Sequence, residues 1–130
     1  MALSEIPRST RKGSSYQDLE IWQRAVDLAS AVYSVTEHFP SSERFGLVAQ
    51  MRRAAVSVPA NIAEGWGRGS RLDYVRFLTI ARGSLYDLVP HAIVAERVGF
   101  VGDSDGDMLA RQTETLSRML LSYFRSMQND

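Results

Sequence analysis

Apolar residues recur at alternating intervals of three and four through most of this chain, which limits its fold to packed amphipathic helices. Residues at these intervals lie on one face of a helix, and such a face is stable only when a neighbouring element covers it. No segment alternates with the period of two that a half-buried β-strand requires. The clearest run precedes a cluster of glycines and consists of Val48, Met51, Ala55, Val58 and Ile62.

Breaks in this pattern delimit the first two predicted helices. Helix 1 is expected from about Gln17 to His38, because Pro40 cannot continue it. Helix 2 is expected to begin with Ser41 or Ser42 as its cap and to end at the glycines of positions 65, 67 and 69.

Two capping patterns start the second half of the chain. Residues 70–73 predict the start of helix 3, which runs to about Val98, and residues 104–107 predict the start of helix 4. Four amphipathic helices with short connections predict an all-α, up-down-up-down four-helix bundle. The bundle is expected as one domain over residues 16–128. The polar residues 1–15 are expected to form a flexible N-terminal tail.

Two prolines and one glycine lie inside predicted helices. Pro59 and Pro90 each lack a backbone N–H, so helices 2 and 3 are both expected to kink. Ser57 is expected to bond one of the carbonyls that Pro59 leaves unpaired. Gly83 lies in the middle of helix 3, where glycine costs about 1 kcal/mol relative to alanine. We interpret that cost as a sign of close approach by another backbone or a bulky side chain.

Composition argues against several functional classes. The chain has no cysteine, so disulfides and thiolate metal sites are excluded. Its first 15 residues are polar and no apolar run reaches membrane-spanning length, so we expect a cytoplasmic protein without a secretory leader or a membrane partner. Four acidic residues from Asp103 to Glu114 fit a calcium-loop spacing, but Met108 occupies the position that needs glycine. No catalytic motif is present, and we predict no enzymatic activity, cofactor, metal or small-molecule substrate.

Helix 2 places polar residues among its apolar ones. Arg53, Ser57, Asn61 and Glu64 are four, four and three positions apart, so they share one helix face. If that face is buried, these groups must be paired, either with helix 3 or with another subunit. Contact of this face with nucleic acid is the alternative. The predicted structural polar network consists of Arg53, Ser57, Asn61, Glu64, Ser84 and Asp87.

Several segments match a known family. The longest is Ser-Val-Pro-Ala-Asn-Ile-Ala-Glu-Gly at residues 57–65, with Gln-Met-Arg-Arg-Ala at 50–54 and Gly-Ser-Leu at 83–85. Over about residues 16–101 the chain resembles the four-helix-bundle family encoded by intervening sequences in bacterial 23S ribosomal RNA genes, also called the S23 ribosomal protein family. It is also similar to the accessory variability proteins of diversity-generating retroelements.

This resemblance implies a left-handed bundle that assembles as a ring, typically a homopentamer, with no known enzymatic activity. In the retroelement branch it implies nucleic-acid binding through a basic surface of the pentamer and a reverse transcriptase as partner. The chain departs from the family where a characteristic glutamate is replaced by Asp87, and where Pro90 and His91 replace the polar pair that often follows.

The net charge is zero, but the charge is unevenly distributed. Residues 43–82 hold seven arginines against three acidic residues, and residues 83–130 hold four arginines against seven acidic ones. Arginine suits carboxylates and phosphates through its planar fork. The family resemblance implies a self-assembling accessory protein of RNA or a nucleoprotein. Its neutral charge favours the alternative, an oligomeric adaptor for a protein partner. The predicted nucleic-acid contacts are Arg52, Arg68, Arg71 and Arg76.

Overall fold

The computed structural model describes residues 15–128 of the chain. Within that range it contains four α-helices and no strand, which confirms the predicted all-α class. A short 3₁₀ turn precedes each of the first two helices, at Tyr16–Asp18 and Ser41–Glu43. The helices are α1 Glu20–Thr36, α2 Leu47–Arg68, α3 Arg71–Arg97 and α4 Asp103–Gln128.

The four helices pack as a bundle. Among the described residues α1 contacts α2 and α4, and α3 contacts α2 and α4, so each helix has two helical neighbours. The rings of Phe39 and Phe100 lie 5.6 Å apart and bring the α1–α2 and α3–α4 connections together, at what we call the Phe39 end. The rings of Tyr74 and Tyr123 lie 5.8 Å apart at the opposite, Tyr74 end. The up-down-up-down order of the helices and the left-handedness of the bundle stay predictions.

The core consists of the residues with three-four spacing. The predicted seam of α2 is buried at every position. Helix α3 contributes an equivalent buried row, so α2 and α3 face each other along their length. Within residues 15–128 no helix is long and apolar enough to cross a bilayer. The largest fully buried side chains are Leu28, Val32, Met51, Val58, Ile62, Leu78, Leu88, Leu116 and Leu120.

Helix starts differ in part from expectation. Ser70 caps α3 as predicted, its hydroxyl accepting from the Asp73 N–H at 3.1 Å. The cap expected at Ser41 or Ser42 is wrong, because the carboxylate of Glu43 instead accepts from the N–H of Leu47, the first residue of α2, at 3.2 Å. The capping box expected over residues 104–107 is wrong too, because α4 already begins at position 103.

Residue 15, the last of the predicted tail, is folded: the Ser15 hydroxyl accepts from the Gln17 N–H at 3.2 Å. The rest of that tail lies outside the described residues. Helices α2 and α3 continue through Pro59 and Pro90, and their kinks stay predictions. Ser57 was expected to bond a carbonyl freed by the proline, but its hydroxyl pairs with Ser84 instead.

Close helix packing occurs at Gly65, where the sequence analysis did not place it. A Cβ added at Gly65 would lie 2.7 Å from the Phe77 Cβ and 3.0 Å from a Tyr74 ring carbon, so only glycine fits. At Gly83 an added Cβ would meet nothing within 4 Å among the described atoms. The close approach expected at Gly83 is therefore wrong for the single chain.

Candidate nucleic-acid interface

Two arginines share the ring of Phe77 at the turn between α2 and α3. The guanidinium carbon of Arg68 lies 5.1 Å from the ring centroid and that of Arg76 lies 5.7 Å away. Arg68 is the last residue of α2, and Gly69, with a φ of 80°, reverses the chain into α3. Glycine adopts this left-handed conformation without steric cost, which explains the sharp turn. We call Arg68, Arg71, Arg76 and Phe77 the Phe77 cluster.

The charge of this cluster is only partly balanced within the chain. Arg68 donates to the Glu64 carboxylate at 2.8 Å and 3.2 Å, and both side chains are about half exposed. Arg71 and Arg76 are exposed, and within residues 15–128 Arg76 forms no ion pair. Beside them Leu72 is 80% exposed. The cluster thus offers guanidinium groups and an apolar side chain to solvent.

Buried Tyr74 packs between two aromatic rings beneath the cluster. Tyr74 packs edge-to-face against Trp66 at 5.9 Å, in addition to its contact with Tyr123. Burial raises the pKa of the Tyr74 hydroxyl well above its ordinary value near 10, and the neighbouring Tyr123 phenol raises it further. The close approach at Gly65 places the Phe77 Cβ directly against α2, the helix that carries Arg68.

Arg52, the fourth predicted contact, lies elsewhere. It is 16 positions before Arg68 on α2, a distance of about 24 Å along the helix axis. Its Nε donates to Thr36 Oγ1 at 2.9 Å, and its guanidinium carbon lies 4.4 Å from the centroid of the Tyr33 ring. The Glu37 carboxylate is 3.6 Å away. Arg52 therefore fastens α1 to α2, and the structure does not bring it together with Arg68, Arg71 and Arg76.

A second arginine–aromatic surface was missed by the sequence analysis. Phe45, just before α2, is 87% exposed, and the guanidinium carbon of Arg44 lies 5.6 Å from its ring centroid. Exposed Arg53 and Val56 border the same shallow pocket of about 690 Å³. We call Arg44, Phe45, Arg53 and Val56 the Phe45 patch. The sequence contains one indication of this patch, because Phe45 is an aromatic residue that lies outside the three-four pattern of α2.

The predicted polar network is smaller in the structure. Ser57 and Ser84 share a hydrogen bond of 2.8 Å, and Asn61 Nδ2 donates to the Ser57 carbonyl at 2.7 Å and to its hydroxyl at 2.9 Å. The other three predicted members are exposed and have different partners. These pairs are Arg53 with Gln50, Glu64 with Arg68, and Asp87 with His91.

The described residues bring no three His, Asp or Glu side chains close enough to hold a metal ion. Acidic residues predominate at the start of α4, where the Glu96 carboxylate lies against Gly106, and arginines predominate in α2 and at the start of α3. This separation matches the uneven charge of the sequence and places the basic groups at the Phe77 cluster and the Phe45 patch.

Comparison with known proteins identifies the family. A sequence model described as "23S rRNA-intervening sequence protein" matches residues 17–122. The fold is similar to the crystal structure of a protein of unknown function from the S23 ribosomal protein family of Bacteroides thetaiotaomicron. The TM-score is 0.74 at 17% identity, over 81% of this chain and 95% of that one. No protein with a curated description matches. The chain belongs to the family of 23S rRNA-intervening sequence proteins.

Proposed function

We propose that this protein is a non-enzymatic, self-assembling accessory protein of the cytoplasm that binds RNA phosphates through the Phe77 cluster. The observation that carries the proposal is the pair of guanidinium groups, from Arg68 and Arg76, on the one Phe77 ring. An arginine stacked on an aromatic ring is held in place and still directs its N–H groups outward. That geometry suits a phosphate group, two of whose oxygens accept parallel N–H bonds from one guanidinium.

The neutral net charge of the chain limits its affinity for RNA. A chain without excess positive charge attracts RNA over a short range only, so the local arginines must supply the affinity. Glu64 competes with phosphate for Arg68, which lowers the affinity further. We therefore expect weak, sequence-independent binding by one subunit, with log affinity falling by about 0.7 per contacted phosphate as log salt rises.

Self-assembly compensates for weak binding by a single subunit. An assembly of identical subunits presents one Phe77 cluster per copy, and linked clusters bind one RNA more tightly than separate ones do. A closed ring, with five copies as the resemblance implies, is the proposed form. Such an assembly would follow the path of an RNA backbone rather than read its bases.

The test is RNA binding measured by fluorescence anisotropy at several salt concentrations. The site variant is Arg68→Gln with Arg71→Gln and Arg76→Gln. The control variant is Arg97→Gln with Arg111→Gln and Arg125→Gln, which removes the same charge from exposed positions of the acidic half. We expect the site variant to lose affinity and about two units of salt slope while the control keeps both. Equal losses in the two variants would show a general charge effect and overturn the assignment.

An adaptor for a protein partner is the second candidate. The observation that favours it is Phe45, an aromatic side chain left 87% exposed. Exposed aromatic residues beside arginine are typical centres of protein–protein interfaces. A mass by light scattering that does not change when RNA is added at low salt would favour the adaptor over the RNA-binding protein.

A further inference from the structure

Two features at the Phe39 end have no partner among the described residues. The first is Phe45 with its neighbour Arg44. The Glu43 carboxylate beside them is already bonded to the Leu47 N–H, and within residues 15–128 Arg44 forms no ion pair. Phe45 is thus an exposed apolar side chain next to an arginine that forms no ion pair with a described residue.

The second feature is a pocket between α3 and α4. It measures about 320 Å³, whereas a cavity of roughly 150 Å³ already holds a benzene ring. Ile93, at its border, is 47% exposed. The pocket would therefore accommodate one phenyl side chain with an apolar surface around it. Its apolar lining includes Leu88, Val89, Ala92, Ile93, Leu109 and Ala110.

Two carboxylates border this pocket. The side-chain carboxylates of Glu96 and Asp107 form no hydrogen bond or ion pair with another described residue. The Glu96 carboxylate lies against Gly106, in the space that a Cβ at that position would occupy, so this glycine allows the acid to stay beside the pocket. The pocket thus matches Phe45 in size and Arg44 in charge.

One chain cannot satisfy both features by itself. The Phe45 patch belongs to the α1–α2 side, and the pocket belongs to the α3–α4 side. In the described part of the chain α1 does not pack on α3, nor α2 on α4, so these two pairs form opposite sides of the bundle. Both features nevertheless lie near the Phe39–Phe100 contact, at the same end. A second copy standing alongside could therefore bring its Phe45 to the pocket.

We propose that Phe45 of one copy inserts into the α3–α4 pocket of a second copy, with Arg44 beside the Glu96 and Asp107 carboxylates of that copy. The contact is heterologous, since each copy contributes its Phe45 patch to one neighbour and its pocket to the other. Because both surfaces lie at one end, copies stand side by side, the arrangement from which rings close. The inference rests on the proposed self-assembly and names its contact surface.

The experiment uses two full-length variants, each blocked at one of the two surfaces. Phe45→Asp removes the inserted side chain and keeps the pocket. Ala110→Trp fills the pocket from an exposed position of α4 and keeps Phe45. Size-exclusion chromatography with light scattering gives the mass of wild type, of each variant alone and of their equimolar mixture. Circular dichroism confirms that both variants keep the wild-type helix content.

We expect a multimeric wild type, a 14.5 kDa monomer for each variant alone, and a mass of twice that for the mixture. The mixture stops at a pair because Ala110→Trp supplies the only intact Phe45 and Phe45→Asp supplies the only intact pocket. Neither chain of that pair has a surface left for a third copy. A multimeric wild type with multimeric variants, or a mixture that stays monomeric, would overturn this contact and leave self-assembly standing. A monomeric wild type would overturn self-assembly itself.

Charge exchange tests the predicted ion pair separately. Arg44→Glu should weaken assembly, and adding Glu96→Arg and Asp107→Arg to the same chain should restore it, because the charges of the contact are then reversed. Arg97→Glu, an exposed control on the acidic half, should leave the mass of the assembly unchanged. Failure of the reversed chain to reassemble would exclude pairing of Arg44 with these carboxylates.

Discussion

Ser57 of α2 and Ser84 of α3 share a hydrogen bond of 2.8 Å, which links two helices that otherwise face each other mainly through buried apolar side chains. This hydrogen bond forms only when the two serines are aligned across the helices. Apolar side chains alone would allow one helix to shift along the other by a turn at a lower cost in free energy. Asn61 strengthens the pair by donating to the Ser57 hydroxyl at 2.9 Å. This small network therefore fixes the register in which Phe77 of α3 meets Arg68 of α2.

Removing either serine hydroxyl should destabilise the protein in a coupled way. We expect Ser57→Ala and Ser84→Ala each to lower the free energy of unfolding by about 1 kcal/mol, and Ser57→Ala slightly more, since Asn61 also loses one of its two acceptors and keeps the Ser57 carbonyl. The double variant should cost less than the two single changes together, because both remove the same bond. Urea unfolding measures all three. Additive effects would mean that the bond contributes nothing to stability.

The glycines of the α2 end provide a matched pair of substitutions. Gly65→Ala should destabilise by about 1–3 kcal/mol, because its Cβ would lie 2.7 Å from the Phe77 Cβ, which cannot move without the helix. Gly67→Ala, two positions later, meets nothing within 4 Å and should be neutral or stabilising by up to about 1 kcal/mol. Thermal melting distinguishes them. A Gly65→Ala variant as stable as Gly67→Ala would contradict the close packing.

These glycines also show what the sequence could predict. The three-four spacing identified the four helices and the buried row of α2, because burial of an apolar stripe depends on spacing alone. Which glycine touches a neighbour depends on how two helices face each other, and that relationship lies between segments distant in sequence. Gly83 and Gly65 both lie inside helices. They differ because the packing of α3 on α2 places neighbouring atoms against Gly65 and, among the described residues, none against Gly83.

The candidate site was predictable to a similar extent. Arg68 and Arg76 lie on either side of one turn, so their meeting at the Phe77 ring followed from the turn itself. Arg52 was grouped with them by composition, although a helix separates residues by 1.5 Å per position. Phe45 was missed because an isolated aromatic residue at a helix start does not reveal whether it is buried.

Tyr74 should make the stability of the protein fall at alkaline pH. Its pKa is raised in the folded state by burial and by Tyr123, whereas in the unfolded chain a tyrosine ionises near pH 10. Above that pH the unfolded state loses its proton and the folded state keeps it, so the free energy of unfolding decreases as pH rises. Tyr74→Phe should remove the part of this pH-dependent decrease in the free energy of unfolding that comes from Tyr74.

Two measurements check the Tyr74 prediction. Urea midpoints between pH 8 and about pH 11 should fall more steeply for wild type than for Tyr74→Phe, and Tyr86→Phe, which removes an exposed phenol, should follow wild type. In absorbance titrations of the folded protein, one of the five tyrosines should resist ionisation until the chain unfolds. Five tyrosines that ionise together in folded protein would contradict the raised pKa.

Arg52 should act in stability rather than in RNA binding. Arg52→Gln removes the donor to Thr36 Oγ1 and the stacking on Tyr33, so we expect a loss of about 1–2 kcal/mol in the free energy of unfolding. Arg53→Gln, an exposed neighbour, should cost less than about 0.5 kcal/mol. Arg52→Gln and Arg53→Gln remove the same charge, and their RNA affinities should match. If Arg52→Gln instead weakens RNA binding as much as Arg76→Gln does, without loss of stability, Arg52 is a phosphate contact and the RNA surface extends along α2 to the Phe39 end.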